Sequence, residues 1–571
     1  MYYDFEVVIP EVQGKVFTKK KGSATYVLYQ YGQEYKREKR YVIPKRAKLR
    51  KVSSSNPSMM LPNEKYQGYF PDAVLPEERE EAERSCCLRI GSWVVIKHVL
   101  NEYHLQEMLF KPLGTNAGLF LDLVAFSIID QDNAGQYYPD YAFCHPLFTE
   151  QMKIYSDVTV SRLLMNVSRD QIISFLDDWN DGRDKKQRIY VSYDSTNKNC
   201  QAGDIDFVEF GKAKDDKGIP VFNVSLAFDK TNRVPLFYEE YPGSITDVSQ
   251  FRCMVDKVIE YGYKKIGFIL DRGYFSKENI QYMDANRYSF IIMTKGCKAL
   301  VASIVDSIRN TFETDRKCTI RAYKAYGTTV TSRLYEDDTE NRYFHIFYNS
   351  SRQAAEREKL EQKIEHYRQF LEQHIGSDTQ FGKTYLDYFS LYYKGKKLVG
   401  VQERSDVIQR ELNLCGYFCI ITSEKMTAEQ ALIQYKGRDI SEKLFRADKS
   451  FLGGQSMRVQ SSEAISTKIF IEFVALIVRN RIYNLLKETM QKLDGNPNYL
   501  TVPAALRELE KIEMVRRNSG SYILDHAVTR KQKNILSAFG LDDADIRTTA
   551  ALIAGCLAGK QSLTSDTRKE A

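Results

Sequence analysis

The stretch YKGRDISEKLFRADK, residues 435–449, sets a phenol, a guanidinium, a carboxylate and an amine at successive intervals of three, four and seven residues. At about 100° per residue, Tyr435, Arg438, Glu442 and Lys449 fall within roughly 60° of arc on an α-helix. Ile433, Ile440, Leu444 and Phe451 fall on about the opposite side, the face a helix buries. A solvated helix with ordinary i, i+4 ion pairs would use the same residue types. The other reading is a carboxylate that holds a metal ion while its neighbours hold a polyanion. That reading needs more carboxylates from elsewhere in the chain.

Two aspartates qualify. Asp194 in YVSYDSTN closes an alternating apolar run, and Asp271 in IGFILDRGYFS closes a buried strand, with Gly273 allowing a sharp exit. Each alone could simply cap a turn. Set on adjacent strands, the two would repel unless a cation lay between them. Oxygen donors of this kind favour Mg²⁺ or Mn²⁺. With Glu442 from a later helix they could hold two divalent ions about 4 Å apart, an arrangement that activates a water or a 3′-hydroxyl and stabilises the leaving oxygen in phosphodiester chemistry. Arg438 and Lys449 would then contact DNA phosphates, and Tyr435 would pack on or hydrogen-bond the backbone.

The elements that must position these residues read as an α/β fold. After Gln187 three strands follow one another without helices, and helix–strand–helix–strand then continues to SFIIMTKG, which makes a mixed sheet with helices packed on it. The chain divides into six segments. Residues 1–75 form a basic β and loop arm with probable DNA contact, and residues 76–186 a helical region that could bind DNA ends. Residues 187–296 are the first part of the core, 297–413 an insertion, 414–490 the second part of the core with the glutamate helix, and 491–571 helices with a polar tail, QSLTSDTRKEA, expected to be disordered. Within the helical region DVTVSRLLMNVSRDQIISFLDDW reads as two helices joined by a short turn. It is either a helix-turn-helix for DNA or an ordinary helical pair.

With 571 residues the chain is too long for one core. Its net charge of +7, from 82 basic and 75 acidic residues, only hints at an anionic partner. Distribution says more: from Lys15 to Lys51 the only acids are Glu34 and Glu38. That segment is either a phosphate-contacting surface or a solubilising arm. The ten cysteines show no C-x-x-C pair, as expected of thiols in a reducing compartment. LFLDLVAFSII and IFIEFVALIV each carry an acid, are too short to span a bilayer, and read as buried helices. No signal peptide is evident, so a cytoplasmic protein without membrane association is expected.

The order of these features resembles the DDE transposases of bacterial insertion sequences, in the branch with a Y-x2-R-x3-E-x6-K signature, which Tyr435, Arg438, Glu442 and Lys449 meet without a gap. YDSTN, GKAKDDKG, PGSITD, LDRGYFS and the apolar helix after Glu442 follow in the family's order, from about Tyr190 to Lys487. The resemblance implies a ribonuclease-H-like core with a mixed sheet, interrupted by a mostly β insertion before the glutamate, with an N-terminal DNA-binding region and C-terminal helices. It implies Asp194, Asp271 and Glu442 as catalytic metal ligands for two Mg²⁺ or Mn²⁺ ions. The implied activity is cleavage at the terminal inverted repeats of double-stranded DNA and strand transfer to target DNA, with a hairpin intermediate expected in this branch. A homodimer or larger assembly on DNA would be needed, in a bacterial cytoplasm and nucleoid-associated when bound. A nuclease on the same core without strand transfer, and a catalytically silent repeat-binding regulator, are the alternatives.

Overall fold

The Asp194 strand and its two antiparallel successors do form, and they open a sheet of ten strands. In the computed structural model the described residues are 6–22, 24–36, 41–53, 56–73, 84–200, 205, 207–210, 219–245, 247–294, 298–338, 340–454, 456–459, 461–493, 497–517 and 521–559. The side chain of Glu442, the GKAKDDKG stretch and the C-terminal polar tail lie outside them. The chain makes two compact units, Met1–Arg84 and Ser85–Ala571.

The strands of the large sheet are β1 Arg188–Cys200, β2 Val221–Asp229, β3 Val234–Pro242, β4 Lys265–Leu270, β5 Ser289–Met293, β6 Thr319–Ile320, β7 Ala325–Ser332, β8 Arg342–Tyr348, β9 Tyr417–Thr422 and β10 Ser456–Met457. Their order is β6-β7-β8-β9-β5-β4-β1-β2-β3, with β10 also on β1. β1, β2 and β3 form an antiparallel meander. β4 lies parallel to β1, and β5 parallel to β4. Helices α1 (Asp247–Glu260) and α2 (Lys277–Ala285) make the crossovers that parallel neighbours require. The sheet is therefore mixed, as its sequence pattern implies. β2, covered on both faces, is buried along its whole length, which is why VFNVSLAFD reads as a nearly continuous apolar run.

The segment 297–413 differs from the expected mostly β insertion. Its strands β6, β7 and β8 extend the main sheet through β9. What remains is more helical than stranded: a helix Ser350–Gln373, a hairpin Phe389–Lys394 with Lys397–Glu403, and a helix Ser405–Leu414. These enclose a small core of Ile364, Leu371, Tyr388, Phe389, Ile408 and Leu412. The aromatic, β-branched strands found more partners by adding to an existing sheet edge than a separate small sheet would have given them.

The two apolar stretches are buried helices, Asn116–Ile129 and α5 (Ser462–Gln491), in ring contact through Phe120 and Phe470 at 4.6 Å. No helix of the described residues is long and apolar enough to cross a membrane. The helical pair around residue 166 comprises Asp157–Asn166 and Arg169–Asp181. A capping box of Ser168 and Gln171 starts the second helix. Its Phe175, Leu176 and Trp179 are buried, and the Trp179 indole donates to the Pro235 carbonyl at 2.9 Å. The inner face of this helix is thus committed to the core beside β3. The C-terminal helices include Arg530–Ser537 and Asp543–Leu557, and a three-stranded sheet unexpected from the sequence joins Glu513–Arg516 to Cys87–Arg89 and Tyr522–Leu524.

The N-terminal unit is a five-stranded antiparallel sheet over a core of Val7, Val27, Leu49, Met60 and Tyr66. Its register sets Lys19 beside Tyr26, and Tyr26 beside Lys51, away from that core. The Lys48 ammonium lies 3.5 Å from the Tyr26 ring centroid, and the Arg46 guanidinium 4.5 Å from that of Phe17. The described part of the basic run lies in this sheet, with Lys48 and Arg46 laid over aromatic rings.

Candidate active site

β4 pairs with β1 as far as Leu270 opposite Tyr193. One further step along both strands brings Asp271 and Asp194 level at the carboxyl end of the parallel pair, where open sheets place their chemistry. The period of two that sends Tyr193 into the main core turns Asp194 to the other face. Asp194, expected from the sequence to close its strand, lies inside it. β1 continues to Cys200 because β2 supports it through Asn199, and only its β4 neighbour stops. Asp271 does end β4, and a 3₁₀ turn Arg272–Tyr274 follows it.

Helix α3 (Ala428–Lys436) covers that face and buries Leu432 and Tyr435 against Ile269, Ile291, Phe347 and Ile420. The single helix expected across residues 433–451 is broken. α3 ends at Lys436, and α4 (Asp439–Phe451) begins after Arg438. Lys230 explains the break: its ammonium donates to the carbonyls of Ile433 at 3.3 Å and Gln434 at 2.9 Å, satisfying the end of α3. A β-carbon on Gly437 would stand 2.0 Å from Lys230 Cε, so any larger residue would have to push the lysine side chain aside. Ile433, expected on the buried face, is 45 % exposed, while Tyr435 and Arg438 are buried.

Both of those buried side chains meet the aspartates. Arg438 Nη1 lies 3.4 Å from Asp194 Oδ2 and its Nη2 3.8 Å from Asp271 Oδ1. The Tyr435 hydroxyl donates to Asp271 Oδ1 at 3.2 Å, and burial, then the Asp271 charge, push this phenol well up. The guanidinium thus lies between two carboxylates that like-charge repulsion would otherwise drive apart. Glu442 sits in the early part of α4, which packs along β1. Lys449 is half-buried in the last turn of the same helix. Among the described residues no group of three His, Cys, Asp or Glu side chains converges on one point. The oxygen donors of Asp194 and Asp271 are nonetheless of the kind a hard divalent cation takes, and a cationic group already lies between them.

Sequence reading missed a second set of charges. Lys198, on the same face of β1 as Asp194, donates to Asp448 Oδ2 at 2.5 Å, Glu472 Oε2 at 2.8 Å and the Gly454 carbonyl at 2.9 Å. All three side chains are less than 5 % exposed. Burial pulls the lysine down, but Asp448 and Glu472 more than offset it and hold its pKa above the ordinary value. Burial raises Glu472 to about 7 despite the lysine. Asp448, next to Lys449 in sequence, belongs to this cluster. The available signal was Glu472 itself, an acid inside the apolar run IFIEFVALIV.

Residues 191–478, about half of the chain, match the family model for a transposase DDE domain. The protein belongs to that family and is a transposase. All three candidate acids, the Tyr435–Lys449 signature and the Lys198 cluster lie inside the matched span. Among solved structures the chain is similar to a piggyBac transposase synaptic complex with hairpin DNA, with a TM-score of 0.36 and 8 % identity over 74 % of this chain and 76 % of that one. No curated protein sequence matches it.

Proposed function

We propose that this is an insertion-sequence transposase with a ribonuclease-H-like core, which binds terminal inverted repeats and catalyses metal-dependent DNA cleavage followed by strand transfer. The observation that carries the reading is the meeting of Asp194 and Asp271 where the parallel pairing of β1 and β4 ends, under the segment that bears Glu442. Asp194, Asp271 and Glu442 would hold two Mg²⁺ or Mn²⁺ ions. Bound there, the ions supply an activated oxygen nucleophile and stabilise the leaving oxygen.

The chain's own residues have separate tasks in this reading. Tyr435 orients the Asp271 carboxylate by hydrogen bonding. Arg438 offsets the charge of both aspartates, and it would meet a DNA phosphate aligned on the metals. Lys449 contacts a phosphate farther along α4. The aromatic and basic face of the N-terminal sheet is the complementary surface for double-stranded DNA, since Lys and Arg over rings can serve both phosphate and sugar. Two element ends must be processed together, which calls for a homodimer or larger assembly.

The test begins with the DNA flanking the gene, where inverted repeats should be found. Full-length protein with Mg²⁺ should nick a labelled repeat end and join it to target DNA. Asp194→Asn, Asp271→Asn and Glu442→Gln should each reduce cleavage to background while binding of the end persists. Normal cleavage by Glu442→Gln would refute the site. Cleavage without joining would leave a nuclease.

A further inference from the structure

Helix α4 is fastened to β1 at two places, and Glu442 lies between them. At its start Arg438 reaches Asp194, and near its end Asp448 reaches Lys198. From residue 438 to 448 a helix advances about 15 Å, and from 194 to 198 a strand advances about 13 Å. The two spans match, so the helix runs alongside the strand.

We propose that Lys198, with Asp448 and Glu472, is a positioning device that fixes Glu442 against Asp194. The inference rests on reading those two acids as metal ligands. Lys198 lies in a window of β1 between the last β4 pair, at Tyr193, and the first β10 pair, at Asn199. In that window no described strand holds this flank of β1, and the lysine supplies the tie instead. Its three ammonium protons have three acceptors, from α4, from α5 and from the turn between them. Asn133 closes the far side, donating to Glu472 Oε1 at 3.2 Å and to the Gly453 carbonyl at 2.9 Å. The turn is shaped to the cluster. Gly453 has a φ of +71°, and a β-carbon on Gly454 would stand 2.6 Å from both Lys198 Nζ and Asp448 Oδ1.

Stability alone is a poor reason for such a cluster. Well-packed apolar side chains of similar volume often hold a buried site as well as a salt bridge does. What the charges add is a fixed distance and direction, and here these are imposed on the helix that carries the third acid.

The experiment uses full-length protein and Mn²⁺ alone as the probe, with binding followed by electron paramagnetic resonance and cleavage followed on a labelled repeat end. Glu442→Gln and Asp194→Asn come first. If neither weakens Mn²⁺ binding, the metal-ligand reading itself fails. If they do, the combined variant Lys198→Met, Asp448→Asn, Glu472→Gln, which removes every formal charge of the cluster, should fold and bind DNA ends. It should bind Mn²⁺ at least tenfold more weakly and need correspondingly more Mn²⁺ for half-maximal cleavage. Folded protein with unchanged Mn²⁺ affinity and unchanged metal dependence would overturn the proposal. If the combined variant fails to fold, Gly454→Ala decides. It pushes on Lys198 and Asp448 without removing a charge, and it should shift Mn²⁺ affinity in the same direction; wild-type affinity would overturn the proposal.

Discussion

Arg438 donates from Nη1 to Asp194 Oδ2 across 3.4 Å while its other terminal nitrogen lies 3.8 Å from Asp271. The guanidinium occupies the position of charge balance between the two acids. Arg438→Ala should cost the metal-free protein about 2 kcal/mol, because two partly buried carboxylates are left facing each other. Added Mn²⁺ should restore more stability to the variant than it gives the wild type. Urea unfolding with chelator and with Mn²⁺ measures both, and an equal loss under the two conditions would contradict the charge-balance role.

Gly437 and Lys230 form one unit. Gly437→Ala should displace the lysine from the end of α3, and Lys230→Ala removes it, each costing about 1 kcal/mol as a lost helix-terminal cap. The double variant should cost about the same as either single one. Additive losses would show that the glycine serves another purpose.

Lys449→Ala should weaken binding of a repeat end and lower the slope of log K against log salt concentration by about one, the signature of one lost phosphate contact. Binding titrations over a salt series give the slope. An unchanged slope would remove Lys449 from the DNA interface.

Asp122, in the buried helix Asn116–Ile129, accepts from the Phe148 N–H at 2.5 Å and the Tyr138 hydroxyl at 3.2 Å. Burial raises its carboxyl from 3.8 to about 8 in spite of those donors. Between these values the folded state binds a proton that the unfolded state has released, so its contribution to stability is full below about pH 4 and declines as pH rises through 8. Asp122→Asn should flatten that decline, leaving the variant relatively more stable at about pH 8 than at about pH 5. Parallel unfolding curves for variant and wild type at the two pH values would rule out the titration.

The legible parts of this protein were those with local causes. Alternating apolar residues up to Asp194, the buried run up to Asp271 and the long apolar helix after Glu442 each carry their own periodicity, and each is where the pattern placed it. The helix break at Gly437 was hidden because its cause, Lys230, lies about two hundred residues away, and KGRD is compatible with continuous helix. The Lys198 cluster was hidden for the same reason: its partners are 250 and 274 residues distant. The strands β6 to β8 were recognisable as strands, but a strand does not announce which sheet edge it will join.

That distance also has a consequence in time. Lys198 is made long before Glu472, and at about 5–20 residues per second the ribosome needs tens of seconds to supply the missing partner. Until then β1 has neither β10 nor α5 beside it, and the helix bearing Glu442 has no far anchor. In a growing chain Asp194 and Asp271 are therefore made before the far anchor of the helix that bears Glu442 is complete. On the proposed assignment of Asp194, Asp271 and Glu442, cleavage waits for the segment through Glu472 to be made.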